Sequence, residues 1–302
     1  MTGFVGWRAW SCSVRVAAPV PQLPRARAIV TGLMADVDRA VSRFRDDSDL
    51  ARVNAAAGRL VPVSATTVQL VRAALDAARS SDGHVDPTLA TQLVALGYDR
   101  DVEELRGRRV PTQAPTPGGA WRDVRVDERL RLVGVPAGTG LDLGATAKAW
   151  TADAAADLLH AVLDAPVLVE IGGDLAVRGT PAAPWRVDVS EVSGGPADRV
   201  DLHHGAIATS TTQARRWADL DGRPVHHLLD PATGRPVDGP WRTASVWAPT
   251  ALEANTAATA ALVAGFDAPE RLRAAGLAAR LVDRRGRVAR VGAWPDAVEV
   301  AA

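Results

Sequence analysis

From position 141 the chain reads Leu141-Asp142-Leu143-Gly144-Ala145-Thr146-Ala147-Lys148-Ala149-Trp150. Leu141 to Gly144 predicts a strand end and a turn, and the alanine-rich run behind it predicts a helix through about Val162. Small residues at 144, 145, 147 and 149 let a ligand approach the backbone at the helix N-terminus, where free N–H groups and the helix dipole favour phosphate. Lys148 then lies one turn inside and can reach the same anion as a point charge. The Ala145 carbonyl can serve a hard cation such as Mg2+. The spacing is neither a Walker A loop nor GxGxxG, so by itself it equally describes a packing helix with a surface lysine.

Working outward, Pro166–Ile171 is an apolar run that predicts a buried strand, followed by a tight turn at Gly172-Gly173-Asp174. Alternation marks strands at Trp185–Ser190 and Ala206–Ser210, and short strands are predicted at His226–Asp230 and Thr243–Trp247. Pro249-Thr250 introduces a second alanine-rich helix over about 251–264. Upstream, residues 12–18 alternate as a strand, and helical spacing runs from Arg25 to Phe44. Ser48 caps a short helix through Asn54 that Gly58 stops. A further helix covers about 65–80 and ends at Ser81-Asp82-Gly83. Residues 101–140, rich in Pro, Gly and Arg, read as hairpin and surface loop. This irregular mixture points to an α+β fold in one domain, 1–302, rather than a doubly wound sheet.

The chain has 302 residues, with 35 Lys+Arg against 35 Asp+Glu. Zero net charge argues against a nucleic-acid partner. No apolar run reaches the roughly 18 residues of a membrane helix, so no transmembrane segment is expected. The N-terminus lacks a basic region before an apolar stretch and reads as a strand rather than a signal peptide, which makes the cytoplasm the expected compartment. A single cysteine, Cys12, excludes an internal disulfide and a thiol-based metal site, and reads as a small buried hydrophobe. Lys148 is the one lysine in a chain that otherwise uses arginine. A position that keeps lysine here is a candidate for needing a compact ammonium.

Other candidates are weaker alone. Asn255 and Thr259 share a helix face at i and i+4 and offer oxygen donors, whereas Glu253 points elsewhere. Without a carboxylate, such a pair is more often a helix-to-loop hydrogen bond than a metal site. Of His226-His227, only one can enter a given pocket from a strand, and it would serve as a general base beside Asp230 and Thr233-Gly234. His203-His204 read as a polar turn and His160 as a helix C-terminal residue. Ala208-Thr209-Ser210-Thr211-Thr212 either lines a polar pocket or caps a following helix; no GxSxG accompanies it. Among nine tryptophans, Trp10 and Trp150 fall near these motifs and could stack on a planar ligand.

Taken in order, these segments resemble the ApbE family, the FAD:protein FMN transferases. The blocks are Ser42-Arg43-Phe44-Arg45-Asp46-Asp47-Ser48, Gly83-His84-Val85-Asp86-Pro87-Thr88, Asp142 to Lys148, Ile171-Gly172-Gly173-Asp174 and Ala208-Thr209-Ser210. They close with His227-Leu228-Leu229-Asp230-Pro231-Ala232-Thr233-Gly234-Arg235-Pro236 and Ala248-Pro249-Thr250 leading into Glu253 to Thr259. The resemblance implies an α+β fold with the flavin site between sheet and helix N-terminus. It implies FAD as substrate, Mg2+ or Mn2+ as cofactor, and transfer of FMN to a Thr or Ser hydroxyl of an acceptor protein with release of AMP. Trp10, Phe44, His84, Val85, Asp86, Asp142, Lys148 and Leu229 fall on FAD-contacting positions, Leu229 through its backbone. His227 falls on the position that deprotonates the acceptor hydroxyl, and Ala145, Asn255 and Thr259 on the metal positions. Departures are Asn255, where the family normally carries Asp, Ala258, where some members carry another, and Ala145-Thr146 and Ala149, which replace the commoner Gly-Ile and Gly. Two other classes remain compatible: a non-catalytic FAD-storing protein and a Mg2+-dependent FAD pyrophosphatase.

Overall fold

A computed structural model describes residues 1–191 and 197–295. The chain divides into two compact units, each assembled from distant segments: Met1–Val30, Ala152–Thr211 and Gly239–Ala302 in the first, Thr31–Thr151 and Thr212–Asp238 in the second. Helices and short or antiparallel strands mix irregularly, as an α+β fold requires.

The first unit is built on an eight-stranded sheet. Its spatial order is Thr2–Ala9, Cys12–Pro19, Val167–Ile171, Asp174–Arg178, Gly205–Thr211, Trp241–Ala248, Ala278–Asp283 and Val288–Val291, with every neighbouring pair antiparallel. Period-two alternation gives the sheet two different faces. Leu175, Val177 and Ile207 join an apolar cluster with Val189, Val200 and Leu202 of the hairpin Trp185–Ser190/Ala197–Leu202. Ala208 and Ala248 pack instead with Ala254 of helix Ala251–Ala264. That helix is alanine-rich because it lies close against the strands. Thr250 caps it through the Glu253 N–H, and the Asp153 carboxylate accepts the Ala251 and Leu252 N–H groups, both at 3.0 Å.

At the N-terminus the structure holds a hairpin where the sequence reading has one strand. Ala9 pairs with Cys12, leaving Trp10 and Ser11 as a two-residue turn with φ of 51° and 57°. Cys12 is half-buried rather than buried, and its thiol lies 3.1 Å from the Ala9 carbonyl. Asp174, read as part of a turn, is the first residue of its strand; Gly172 and Gly173 alone make the turn, both at positive φ.

In the second unit, helices Asp49–Ala55 and Ala65–Ser80 start at serine caps, Ser48 and Ser64. Gly83, at φ +80°, ends the second through its N–H to the Ala78 carbonyl at 2.7 Å. The strand end expected at Leu141 is reduced to an isolated bridge between Gly140 and Leu89, and the turn follows at Gly144 to Thr146. The side-chain amide of Asn54 holds Leu141, donating to its carbonyl at 2.9 Å and accepting its N–H at 2.7 Å. The expected strand His226–Asp230 is two. Pro224–His226 pairs with Arg216–Asp219, and Leu229–Asp230 pairs with Arg235–Pro236, so the chain changes partner at His227-Leu228. The 101–140 segment contains the hairpin Arg125–Asp127/Leu132–Gly134 but is more than surface. Trp121 is buried in it, and the Gly118 N–H bonds the Pro231 carbonyl at 2.8 Å. Among the described residues, no helix is long and apolar enough to cross a membrane.

Candidate active site

The second unit holds Phe44, His84, Val85, Asp86, Asp142, Ala145, Lys148, His227 and Leu229; the first holds Trp10, Asn255 and Thr259. Asp142 organises the turn that precedes helix Ala147–Leu163. One carboxylate oxygen accepts the Gly144 N–H at 2.7 Å, and the other meets Arg43 Nε at 2.6 Å. The Arg43 guanidinium lies 4.4 Å from the Phe44 ring centre and 4.3 Å from that of Tyr98, and donates to the Tyr98 carbonyl. A planar, delocalised cation suits that position, which explains an arginine there. Tyr98 in turn stacks on Trp217 at 5.1 Å, and Phe44 stays exposed at the edge of this group. The helix begins at Ala147, later than expected, because Gly144 to Thr146 form the turn; Lys148 therefore stands in the first helical turn rather than one turn inside.

The Asp86 carboxylate works within the protein. It accepts the Thr88 N–H at 2.7 Å, the Thr88 hydroxyl at 2.5 Å and the Gly119 N–H at 2.6 Å. Val85 is buried, its N–H held by the Ser81 hydroxyl, and His84 Nδ1 lies 2.6 Å from the Ser81 carbonyl. The segment is thus fixed from both sides.

His227 sits where the strand changes partner. The side chain is half-buried, and its Nδ1 is shut off from solvent with no hydrogen-bond partner. Burial first, then the positive charges of Arg215 and Lys148 and repulsion from any proton on His226, hold its pKa well below 6.5, so the ring is neutral at neutral pH. His226 is likewise lowered to about 4, chiefly by burial, with Nε2 at 3.1 Å from the Val237 carbonyl. The Leu229 side chain belongs to an apolar cluster with Leu93, Tyr98, Trp217 and Val225, which leaves only its main chain for a ligand. The following turn is tied by Asp230, which accepts the Ala232 N–H and the Thr233 hydroxyl.

In the first unit, helix Ala251–Ala264 brings Asn255 and Thr259 against the sheet. Asn255 Nδ2 donates to Asp174 Oδ1 at 2.7 Å, and the Thr259 hydroxyl lies 2.8 Å from that of Ser210. No helix follows Thr212; the hydroxyls of Thr209 and Thr211 instead pair across strands, with Ser245 and Thr243, both at 2.8 Å. Asn255 Oδ1 is buried without a partner. Among the described residues, no three His, Cys, Asp or Glu side chains form a metal-ligand group, so a cation here would rest on amide, hydroxyl and single carboxylate oxygens.

Sequence reasoning assigned no role to Arg43, Asn54, Tyr98, Arg215 or Asp174. For Asp174 a signal existed: period-two alternation from Leu175 and Val177 puts it on the face of Ala176, opposite the apolar cluster. The others act through pairings that no local pattern encodes.

A model of the ApbE family matches residues 9–281. The FAD:protein FMN transferase of Salmonella typhimurium is 32% identical over 280 residues, covering 85% of this chain and 76% of the relative. That of Treponema pallidum is 31% identical over 285 residues with the same coverage. The solved ApbE protein of Thermotoga maritima superposes with a TM-score of 0.85 at 25% identity, covering 96% of this chain and 97% of its own. The chain belongs to the ApbE family.

Proposed function

We propose that this protein transfers FMN from FAD to a Thr or Ser hydroxyl of an acceptor protein and releases AMP. One observation carries the reading: His227 stands where the chain changes strand partner, with a buried ring nitrogen, Nδ1, that no protein group satisfies, in the same unit as Lys148 and Arg215. A neutral ring can take the proton of the attacking hydroxyl, and the two cations favour the anion formed at the neighbouring phosphate. The hydroxyl oxygen forms a new P–O bond to the FMN phosphorus, the bond to the bridging oxygen breaks, and AMP leaves with the electron pair.

In the second unit, Lys148 and the turn from Asp142 to Ala145 would hold the diphosphate. Phe44, His84, Val85 and the Leu229 main chain would line the flavin nucleotide, with Asp86 holding the His84–Thr88 segment in place. By the family resemblance, Trp10 is a further candidate for FAD contact. The family implies a divalent cation, Mg2+ or Mn2+, and the residues present fit one. The buried Asn255 Oδ1 has no protein partner, an arrangement that costs about 1–3 kcal/mol unless something accepts its lone pairs. Asn255 and Thr259, both in the first unit, are the proposed ligands. Such a cation supplies charge neutralisation at the transferred phosphoryl group.

The test is incubation of the protein with FAD and Mg2+, with and without a Thr-bearing acceptor, followed by mass spectrometry. The expected result is an acceptor heavier by an FMN phosphoester, with AMP formed in step. AMP without acceptor would make the protein a pyrophosphatase. Bound FAD with neither product, while an active family enzyme modifies the same acceptor, would make it a flavin store.

A further inference from the structure

We propose that Asp174 supplies the negative charge of the divalent-cation site in this chain, acting through its hydrogen bond to Asn255 as a positioning residue. The inference rests on the cation assigned above to Asn255 and Thr259. Asp174 is 0% exposed and Asn255 4% exposed, and the carboxylate oxygen lies 2.7 Å from Asn255 Nδ2. That contact settles which way the amide points, because a flip would set its carbonyl oxygen against a carboxylate oxygen. Asn255 Oδ1 is thereby held in one direction, buried and with no protein partner. The Thr259 hydroxyl lies one helical turn further on, held by Ser210.

A carboxylate at position 255 would stand within hydrogen-bond distance of Asp174 in a buried space, and two such groups do not both stay ionised without a cation. With asparagine there, one negative charge remains and the amide bridges it to the ligand oxygen. A carboxylate accepting from the N–H side of an amide polarises the amide and makes its carbonyl oxygen a better donor to a hard cation. Asparagine at 255 therefore moves the charge of the site by one hydrogen bond and does not remove it.

The experiment is Mn2+ titration of the full chain without FAD, followed by the electron paramagnetic resonance of free Mn2+. Asp174→Asn keeps size and lets the Asn255 bond persist but removes the charge. It is expected to weaken Mn2+ binding at least about tenfold, the loss expected when a residue supporting a metal ligand is changed. The exchanged pair Asp174→Asn/Asn255→Asp is expected to restore affinity, which a merely structural role for Asp174 would not do. Asn255→Asp alone, with two facing carboxylates, is expected to melt lower in chelator and to recover with Mn2+. An Asp174→Asn protein that folds and binds Mn2+ within about twofold of the unsubstituted chain overturns the proposal, as does an unsubstituted chain that binds no Mn2+, or an Asn255→Asp protein whose melting ignores Mn2+. Because none of these readings uses FAD or an acceptor, they stand apart from the transfer assay. Failed transfer with Asp174-dependent Mn2+ binding refutes the transferase reading and keeps this one.

Discussion

Lys148 and His227 are where single side chains decide the chemistry. The lysine's compact charge reaches His227 and helps keep it unprotonated. A guanidinium would keep that charge but spread it over a rigid plane with different donors. Lys148→Arg is therefore expected to impair FAD binding or turnover at unchanged net charge, measured by flavin fluorescence titration and AMP release. His227→Asn removes the proton acceptor while keeping a polar side chain. It is expected to slow FMN transfer by about 10²–10⁴-fold with FAD affinity little changed, read by mass spectrometry of the acceptor over time. At this scale the sequence was informative only by ordered motif. A lone lysine and one of two adjacent histidines are ambiguous until neighbouring blocks restrict them, and the Arg215 charge beside His227 left no local trace.

Turns and caps decide the elements. Trp10-Ser11 occupies a two-residue hairpin turn in the left-handed region, where Asn-Gly is favoured and a tryptophan pays conformational energy. Trp10→Asn/Ser11→Gly is expected to raise the melting temperature while weakening FAD binding, the pattern of a strained residue kept for a ligand. Gly234, at φ +67°, closes the turn that follows His227, and a Cβ there would collide with the Thr116 carbonyl. Gly234→Ala is expected to destabilise the fold by more than about 1 kcal/mol, seen as a lower urea midpoint. The helices were legible because their caps and apolar spacing are local: Ser48, Ser64 and Thr250 each begin one. The backbone of Leu141 is held in the opposite way: its N–H and carbonyl bond the Asn54 side chain, 87 residues away in the chain, and no period reports that.

Over the whole molecule, the buried histidines set the response to acid. His226 titrates at about 4 in the folded chain and His227 well below 6.5, whereas the unfolded chain takes up these protons near 6.5. Protons therefore bind the unfolded state more readily. The stability these rings contribute is fully present above 6.5 and is lost as pH falls toward 4. The melting temperature is expected to decline from about pH 6.5 to about pH 4, and less steeply in His226→Gln, as calorimetry at several pH values would show. The sequence by itself determined the α+β class, the alanine-rich helices, the Gly172-Gly173 turn and the family, because caps, periods and ordered motifs are local and survive in one dimension. The tertiary structure alone decided that Asn255 leans on Asp174, 81 residues away, that Arg43, lying against two aromatic rings, pairs with Asp142, and that His227 lies under two cations. Such contacts depend on which strands and turns become neighbours, and that is fixed by the summed burial of the whole core rather than by any segment's own pattern.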